Sequence, residues 1–160
     1  MTDLTKTLRA EYPRLIPDRF GFECNDGWQQ ILEEFFAVVD HDLPADATLH
    51  LRQVKEKLGS LRIYFDLEGD IPTEAETSIR DACDRAEARS HYICEQCGQR
   101  GRFSNRRSYL TTVCADHAEV DGFMAVPCDD HPVMIGSKDG WQRYDFDLDA
   151  FVETEKPKDW

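Results

Sequence analysis

The sequence predicts an α+β fold in which helices pack on an antiparallel hairpin or sheet. Apolar residues recur at helical spacing between Trp28 and Val39, whereas residues 61–67 alternate between apolar and polar, as in a half-buried strand. Further along the chain, cysteine and histidine pairs have the spacing of a zinc ribbon. These patterns predict three segments: an α+β body over residues 1–93, a zinc-ribbon module over residues 94–120, and an irregular, acidic, β-rich extension over residues 121–160.

The body is predicted to contain three helices and one hairpin. A short helix opens the chain, and a long amphipathic helix follows it and ends before Pro44. The alternating segments at 49–51 and 61–67 are expected to pair as an antiparallel hairpin with its turn at Gly59. A third helix begins at Thr73 and runs into the first cysteine pair, so we expect the zinc-ribbon module to be docked on that helix.

Two ligand-spaced pairs organise the middle of the chain. Two residues separate Cys94 from Cys97 and Cys114 from His117, and residues 98–113 lie between the pairs. The short spacing lets both members of a pair turn toward one point, and the long gap forms the loop that returns the second pair. We therefore expect one structural zinc ion with four protein ligands, a closed site in which no coordination position is open to water.

Two other uses of these cysteines are a redox pair and a set of disulfides. A CxxC redox pair usually lies between a strand and a helix of a βαβ unit, whereas a predicted helix precedes Cys94. Residues 1–9 lack the apolar core of a secretory signal, and no apolar run approaches the roughly 20 residues of a membrane span. The sequence therefore predicts a cytoplasmic chain with reduced thiols and no membrane partner.

A third ligand-spaced pair, Cys128 and His131, leaves the ligand set open. We expect Cys114 and His117 to be the ligands, so that Cys128 and His131 bind no metal. The alternatives are that Cys128 and His131 replace Cys114 and His117 at the zinc site or form half of another site.

Acidic residues beside two of the histidines raise a nuclease alternative. Asp116 precedes His117, and Asp129 and Asp130 precede His131, which are the residue types that a ββα-metal nuclease uses to hold magnesium. Phosphate-loop, GxSxG and HExxH motifs are absent from the sequence, and it predicts no catalytic residue.

Charge is unevenly distributed along this chain of net charge −13. Residues 1–93 carry 19 acidic and 11 basic side chains, residues 94–113 carry 1 and 4, and residues 114–160 carry 12 and 4. An acidic surface is repelled by nucleic-acid phosphates and attracted to basic protein surfaces. The sequence therefore predicts a protein partner with a basic surface, although the acidic residues could equally serve solubility alone.

The basic residues between the two ligand pairs have two interpretations. They form either a phosphate-binding patch with Phe103 as a stacking ring, or a solvated loop that pairs with the acidic flanks of the chain itself. The overall charge favours the second interpretation and leaves nucleic-acid binding as the alternative. The basic residues are Arg100, Arg102, Arg106 and Arg107.

Alternation near the C-terminus predicts an acidic edge strand. Asp145, Asp147 and Asp149 alternate with apolar residues from Tyr144 to Leu148. Charges on an edge strand discourage unwanted strand pairing, and they could also contact a basic partner.

Three motifs together resemble a family of small, uncharacterised proteins of bacteria, phages and prophages. The motifs are GFECNDGW at 21–28, QVKEKLGSLRIY at 53–64, and CxxCG followed by CxxH at 94–117, and the resemblance covers roughly residues 10–120. It implies a helix-hairpin-helix body with a zinc ribbon, and it implies no activity.

The sequence therefore predicts a non-enzymatic, zinc-stabilised binding protein, of the phage inhibitor or adaptor kind, that acts on a protein partner. The alternatives are a zinc ribbon that binds nucleic acid through Arg100–Arg107 and a metal-dependent nuclease. The oligomeric state is not indicated by any pattern in the sequence.

Overall fold

Three α-helices and four small antiparallel sheets make up the computed structural model, which describes residues 3–128 and 132–159. This architecture confirms the predicted α+β class. The helices are α1 (Asp3–Glu11), α2 (Gln29–Asp42) and α3 (Thr73–Arg89). The strands are β1 (Thr48–Lys57), β2 (Ser60–Glu68), β3 (Arg102–Arg106), β4 (Tyr109–Val113), β5 (Glu119–Val120), β6 (Phe123–Met124), β7 (Val126–Pro127), β8 (Met134–Ser137), β9 (Gly140–Asp145) and β10 (Ala150–Thr154).

The predicted hairpin is formed by β1 and β2, and its apolar face belongs to the core of the body. Leu49 is buried on β1, and a bulge between Leu51 and Gln53 shifts the alternation so that Val54 is also buried. Without the extra residue, Val54 would point to the opposite face, because strand side chains alternate. Helices α2 and α3 complete this core, in which Phe35 and Phe36 of α2 are almost fully buried.

Helix α3 is joined to β2 by a partly buried carboxylate, and Glu87→Gln is expected to stabilise the protein at neutral pH. Glu87 Oε1 accepts a hydrogen bond from the backbone N–H of Ile63 at 2.9 Å. Burial raises the pKa of the Glu87 carboxyl above its ordinary 4.5, although the Ile63 N–H and Arg62 oppose this shift. A carboxyl with a raised pKa in the folded state loses stabilising free energy as the pH rises through that pKa. Glutamine keeps the acceptor and removes the charge.

Thermal unfolding between about pH 4 and pH 8 measures this effect. The Tm advantage of Glu87→Gln should grow as the pH rises above the ordinary glutamate pKa, and should vanish below it. An advantage independent of pH would contradict the prediction.

The C-terminal extension forms a three-stranded sheet, in the order β10-β9-β8, that packs against α3. Tyr144 anchors it: the ring is 1% exposed and its hydroxyl bonds to Asp149. The prediction of one strand from Tyr144 to Leu148 is wrong, because β9 ends at Asp145 and residues 146–149 form the turn to β10.

The segment between the predicted ligand pairs folds as a hairpin of β3 and β4, to which β7 adds a third strand beside β3. The short hairpin of β5 and β6 follows the second pair. Across residues 3–128 and 132–159, no helix combines the length and apolar character needed to cross a lipid bilayer.

Candidate metal centre

Four side chains from the two predicted pairs converge on one point. The Sγ atoms of Cys94, Cys97 and Cys114 and a ring nitrogen of His117 all lie within 4.8 Å of one another. Cys94 is buried and Cys97 is exposed, while Cys114 and His117 are partly buried. The centre therefore lies at the edge of the fold, with one ligand toward the core and one toward solvent.

The separations of Cys97 Sγ from Cys114 Sγ and of Cys94 Sγ from His117 Nδ1 match those of a tetrahedral centre, whereas Cys114 Sγ lies closer to His117 Nδ1. Cys97 Sγ lies 3.7 Å from Cys114 Sγ, and His117 Nδ1 lies 3.7 Å from Cys94 Sγ and 3.2 Å from Cys114 Sγ. A zinc ion with Zn–S near 2.3 Å and Zn–N near 2.0–2.1 Å would separate its ligand atoms by about 3.5–3.8 Å. All six cysteines are free thiols, so the sulfur pairs are not disulfides.

A tight turn builds the first pair of ligands. The N–H of Gly98 donates to the carbonyl of Cys94 at 2.9 Å, and the N–H of Cys94 donates to the carbonyl of Gln99 at 2.7 Å. Gly98 has a φ of +79°, a conformation that favours glycine. This turn brings Cys97 back beside Cys94, as the CxxCG spacing predicts.

A short 3₁₀ turn over Ala115–His117 builds the second pair, where the N–H of His117 donates to the carbonyl of Cys114 at 3.1 Å. Arg106 on β3 holds the end of this turn, since its guanidinium donates to the carbonyl oxygens of His117 at 3.0 Å and Ala118 at 2.8 Å. The β3–β4 hairpin lies between the two ligand pairs, and its residue Arg106 therefore helps to position the second pair.

Two of the thiols have pKa values that are shifted in opposite directions. Desolvation works to raise the pKa of Cys114, but hydrogen bonds from His117 and from the neighbouring cysteines outweigh it and lower that pKa to about 7. The pKa of Cys97 is raised: its bond with Gln99 works to lower it, but desolvation and its bonds to Cys114 and Cys94 prevail. A cation favours the thiolate form of every cysteine that it coordinates.

The four side chains could hold a metal ion. Comparisons of this chain with protein-family models, with curated proteins and with solved structures gave no match.

The motif around Gly27 packs directly on the first pair of ligands. The N–H of Gly27 donates to the carbonyl of Glu95 at 3.1 Å, and the indole N–H of the fully buried Trp28 donates to the carbonyl of Ile93 at 2.9 Å. A Cβ at Gly27 would overlap the carbonyl oxygen of Cys94. The glycine thus permits a close approach between the body and the metal centre, a role that the sequence analysis did not assign to it.

The β1–β2 turn packs on the other side of the same module. Leu58 and Gly59 have φ values of 53° and 81°, as a two-residue hairpin turn requires. The buried hydroxyl of Thr112 on β4 donates to the carbonyl of Gly59 at 2.7 Å, and a Cβ at Gly59 would lie 2.9 Å from the Thr111 nitrogen. The motif around Gly27 therefore contacts the first pair of ligands, and the hairpin motif contacts β4, the strand that leads to the second pair.

Cys128, the described member of the third predicted ligand pair, is not part of the cluster found in the described residues. Cys128 donates its backbone N–H to the carbonyl of Phe103 at 2.9 Å, and its side chain belongs to no group of three or more ligands there. His131, Asp129 and Asp130 lie outside the described residues.

The arginines between the ligand pairs do not form one patch. Arg106 bonds to carbonyl oxygens, Arg107 lies 4.0 Å over the ring of Phe123, and Arg100 lies 3.8 Å over the ring of Phe146. Arg102 is exposed on β3. Within residues 3–128 and 132–159 none of the four has a carboxylate at ion-pair distance, so the expected pairing with the acidic flanks is wrong there.

The three C-terminal aspartates have three different environments. Asp149 accepts from Tyr144 and lies 3.5 Å from Arg89 and 3.9 Å from Arg85, so it fastens the extension to α3. Asp145 caps the following turn by accepting from the N–H of Leu148, and Asp147 is exposed. Of the three, Asp147 is the one best placed to meet a partner.

Proposed function

We propose that this chain is a zinc-stabilised binding protein that acts, without catalysis, on a protein partner with a basic surface. Three thiolates and one imidazole are the soft, tetrahedral donor set that zinc favours. With four protein ligands no coordination position is left for water, so the ion would be structural rather than catalytic. The proposed activity is therefore binding, and the residues that bind the partner should lie on the protein surface.

The observation that carries the proposal is an acidic face on α3, formed by Glu74, Asp81 and Asp84. All three residues are exposed, and none has a lysine or arginine at ion-pair distance in the described part of the chain. Desolvation raises the pKa of Asp84 and the like charge of Asp81 adds to the shift, whereas the nearby Arg80 opposes it. Carboxylates that repel one another in this way would gain from an approaching cation.

A groove beside this face offers shape as well as charge. It has a volume of about 490 Å³, and its walls include Val38 of α2 together with Glu74, Asp81 and Arg85 of α3. The cation of Arg85 already has a partner, since it lies 3.9 Å from the Asp149 carboxylate. A basic side chain could lay its alkyl stem on the apolar wall and bring its cation to the carboxylates. The resemblance to phage and prophage proteins favours an inhibitor or adaptor that occupies such a basic surface.

Neutralising this face is expected to slow association with the partner. Affinity capture from a bacterial lysate at low salt identifies a candidate, and the complex is then reconstituted from purified proteins. For the wild type we expect the association rate to fall at least about tenfold between about 50 and 500 mM salt. The triple variant Glu74→Gln/Asp81→Asn/Asp84→Asn should associate slowly at low salt and depend less on salt.

The matched control removes the same charge elsewhere. Asp3, Glu11 and Asp18 are exposed at the α1 end of the chain, and Asp3→Asn/Glu11→Gln/Asp18→Asn should leave the association rate near that of the wild type. Equal slowing by both triple variants, or a complex whose formation does not depend on salt, would refute the role of the α3 face.

The nucleic-acid and nuclease alternatives have less support. Arg106 and Arg107 are engaged with the chain itself, which leaves a smaller basic surface for phosphates. The Nδ1 atom of His117 faces the cysteine sulfurs, so it is not free to act as the general base of a nuclease. A mobility shift with DNA or RNA at low salt that is lost in Arg102→Ala would revive the first alternative.

A further inference from the structure

The outer edge of β2, the side turned away from β1, is only partly covered by the rest of the chain. At the start of the strand, side chains of α3 and of the turn after it take the place of a neighbouring strand. Ser90 Oγ accepts a hydrogen bond from the N–H of Leu61 at 2.8 Å. Glu87 Oε1 accepts one from the N–H of Ile63 at 2.9 Å, and the Cys83 thiol donates to the carbonyl of Ile63 at 3.8 Å. These side chains cap the edge as the backbone of a third strand would.

The cap ends after Ile63. Residues of an antiparallel strand alternate between facing their partner strand and facing away, so the N–H and C=O groups of Phe65 and Leu67 point to the same outer edge as those of Ile63. The bulge of the hairpin lies on β1 and does not interrupt this alternation along β2. Within residues 3–128 and 132–159, these groups of Phe65 and Leu67 have no hydrogen-bond partner. The second half of β2 is therefore an open strand edge.

A groove with a volume of about 510 Å³ lies along this edge, between β2 and α3. Its two arginines already have carboxylate partners, since Arg52 pairs with Asp66 and Arg80 pairs with Glu76. The groove is therefore open in shape, but its cations are engaged with the chain itself.

Two further carboxylates line the groove, those of Asp84 and Glu87. Neither has a lysine or arginine at ion-pair distance in the described part of the chain. Desolvation raises the pKa of both, an effect that Arg80 opposes at Asp84 and that the Ile63 N–H and Arg62 oppose at Glu87. A cation that entered the groove would favour the charged form of both carboxylates. The groove thus complements an extended segment that carries basic side chains.

We propose that an extended, basic segment of the protein partner adds to the open end of β2 as a third strand. Its backbone would pair with the N–H and C=O groups of Phe65 and Leu67, as in other cases of strand addition to an exposed sheet edge. Because strand side chains alternate, every second side chain would point toward α3, where a lysine or arginine would meet Asp84. This inference rests on the proposed function, since Asp84 also belongs to the acidic face of α3.

The test is amide exchange measured by NMR on the zinc-loaded full chain, at about 50 mM salt, with the synthetic peptide acetyl-Lys-Val-Lys-Val-Lys-Val-amide as the probe. We expect a Kd below about 1 mM. The amides of Phe65 and Leu67 should exchange at least about tenfold more slowly with the peptide than without it. The amide of Asp66, which faces β1, should be protected in both states. Unchanged exchange at Phe65 and Leu67 under saturating peptide would overturn the proposal.

Two N-methylated forms of the peptide separate backbone pairing from charge. Methyl groups on the backbone nitrogens of the lysines block one edge of the extended peptide, and methyl groups on those of the valines block the other. Because only one edge would pair with β2, one form should bind at least about tenfold more weakly than the parent peptide, and the other within about twofold. Equal affinities of the two forms would contradict strand addition.

A charge variant tests the contact with α3. Asp84→Asn should weaken peptide binding at least about threefold, because it removes the carboxylate that would meet the basic side chain. Asp18→Asn is the matched control, an equal loss of charge at an exposed position outside the groove, and should bind as the wild type does. The unfolding temperatures of both variants establish that they are folded. Equal weakening by the two variants would refute the contact with Asp84.

Failure of this inference can be told apart from failure of the proposed function. If the captured partner depends on the acidic face of α3, but the amides of Phe65 and Leu67 stay unprotected in its complex, strand addition is overturned and the proposed function stands. If the peptide protects these amides, but the α3 triple variant associates with the partner as fast as the wild type, the proposed function fails and the strand site stands.

Discussion

Cys97→Ser is expected to abolish metal retention and to unfold the zinc-ribbon module while the body stays folded. Because Cys97 is exposed, its substitution removes a ligand without opening a cavity in the core. A structural zinc ion contributes about 10–16 kcal/mol of apparent binding free energy to a small zinc domain. The apolar cluster of the module, within the described residues, is built on only Cys94, Val113 and Ala125, which is too small a core to replace that contribution.

Native mass spectrometry and hydrogen exchange measure the two parts of this result. The wild type should carry one zinc ion per chain, and Cys97→Ser none. Amides of β3 and β4 should lose protection in the variant, whereas those of α2 should keep theirs, because α2 belongs to the larger apolar core.

Cys128→Ser is the matched control, since Cys128 is also a partly exposed free thiol but lies outside the cluster. It should retain the metal and the protection of β3 and β4. A wild-type protein purified without metal, or one that loses its metal with Cys128→Ser, would refute the proposed ligand set.

Gly27→Ala is expected to separate the body from the metal centre and to cost at least about 3 kcal/mol of unfolding free energy. A Cβ at this position would overlap the carbonyl oxygen of Cys94 and lie 2.6 Å from the carbonyl carbon of Glu95. These are backbone atoms of the ligand turn, so no rotamer change relieves the overlap. Displacement of the ligand turn would break the hydrogen bond from the Gly27 N–H to the Glu95 carbonyl. It would also weaken the bond from the Trp28 indole N–H to the Ile93 carbonyl.

Chemical denaturation gives the stability change, and competition with a chelator gives the change in metal affinity. Gly21→Ala is the control, because neither glycine has a positive φ and a Cβ at Gly21 would meet no atom within 4 Å. That variant should be neutral or more stable by about 0.4–1 kcal/mol. If Gly27→Ala behaved like Gly21→Ala, the close contact between body and ligand turn would be refuted.

The local features of this protein could be predicted from the sequence. The spacing of Cys94, Cys97, Cys114 and His117 predicts their convergence, because two-residue separations restrict where side chains can point. The alternation at residues 61–67 predicts β2, and Gly59 predicts the turn before it. The C-terminal extension is harder to predict from its sequence. Apolar and polar residues alternate from Tyr144 to Leu148 as they do in β2, but residues 146–149 form a turn that Asp145 and Asp149 stabilise.

Local sequence patterns therefore predict which side chains form the candidate metal-binding cluster and the types of the elements around it. The tertiary structure decided how residues distant in sequence are used. It placed Gly27 against Cys94 and directed Arg106 to the carbonyl oxygens of His117 and Ala118. Spacing and periodicity act over a few residues, whereas these roles depend on contacts between segments that meet only when the chain has folded.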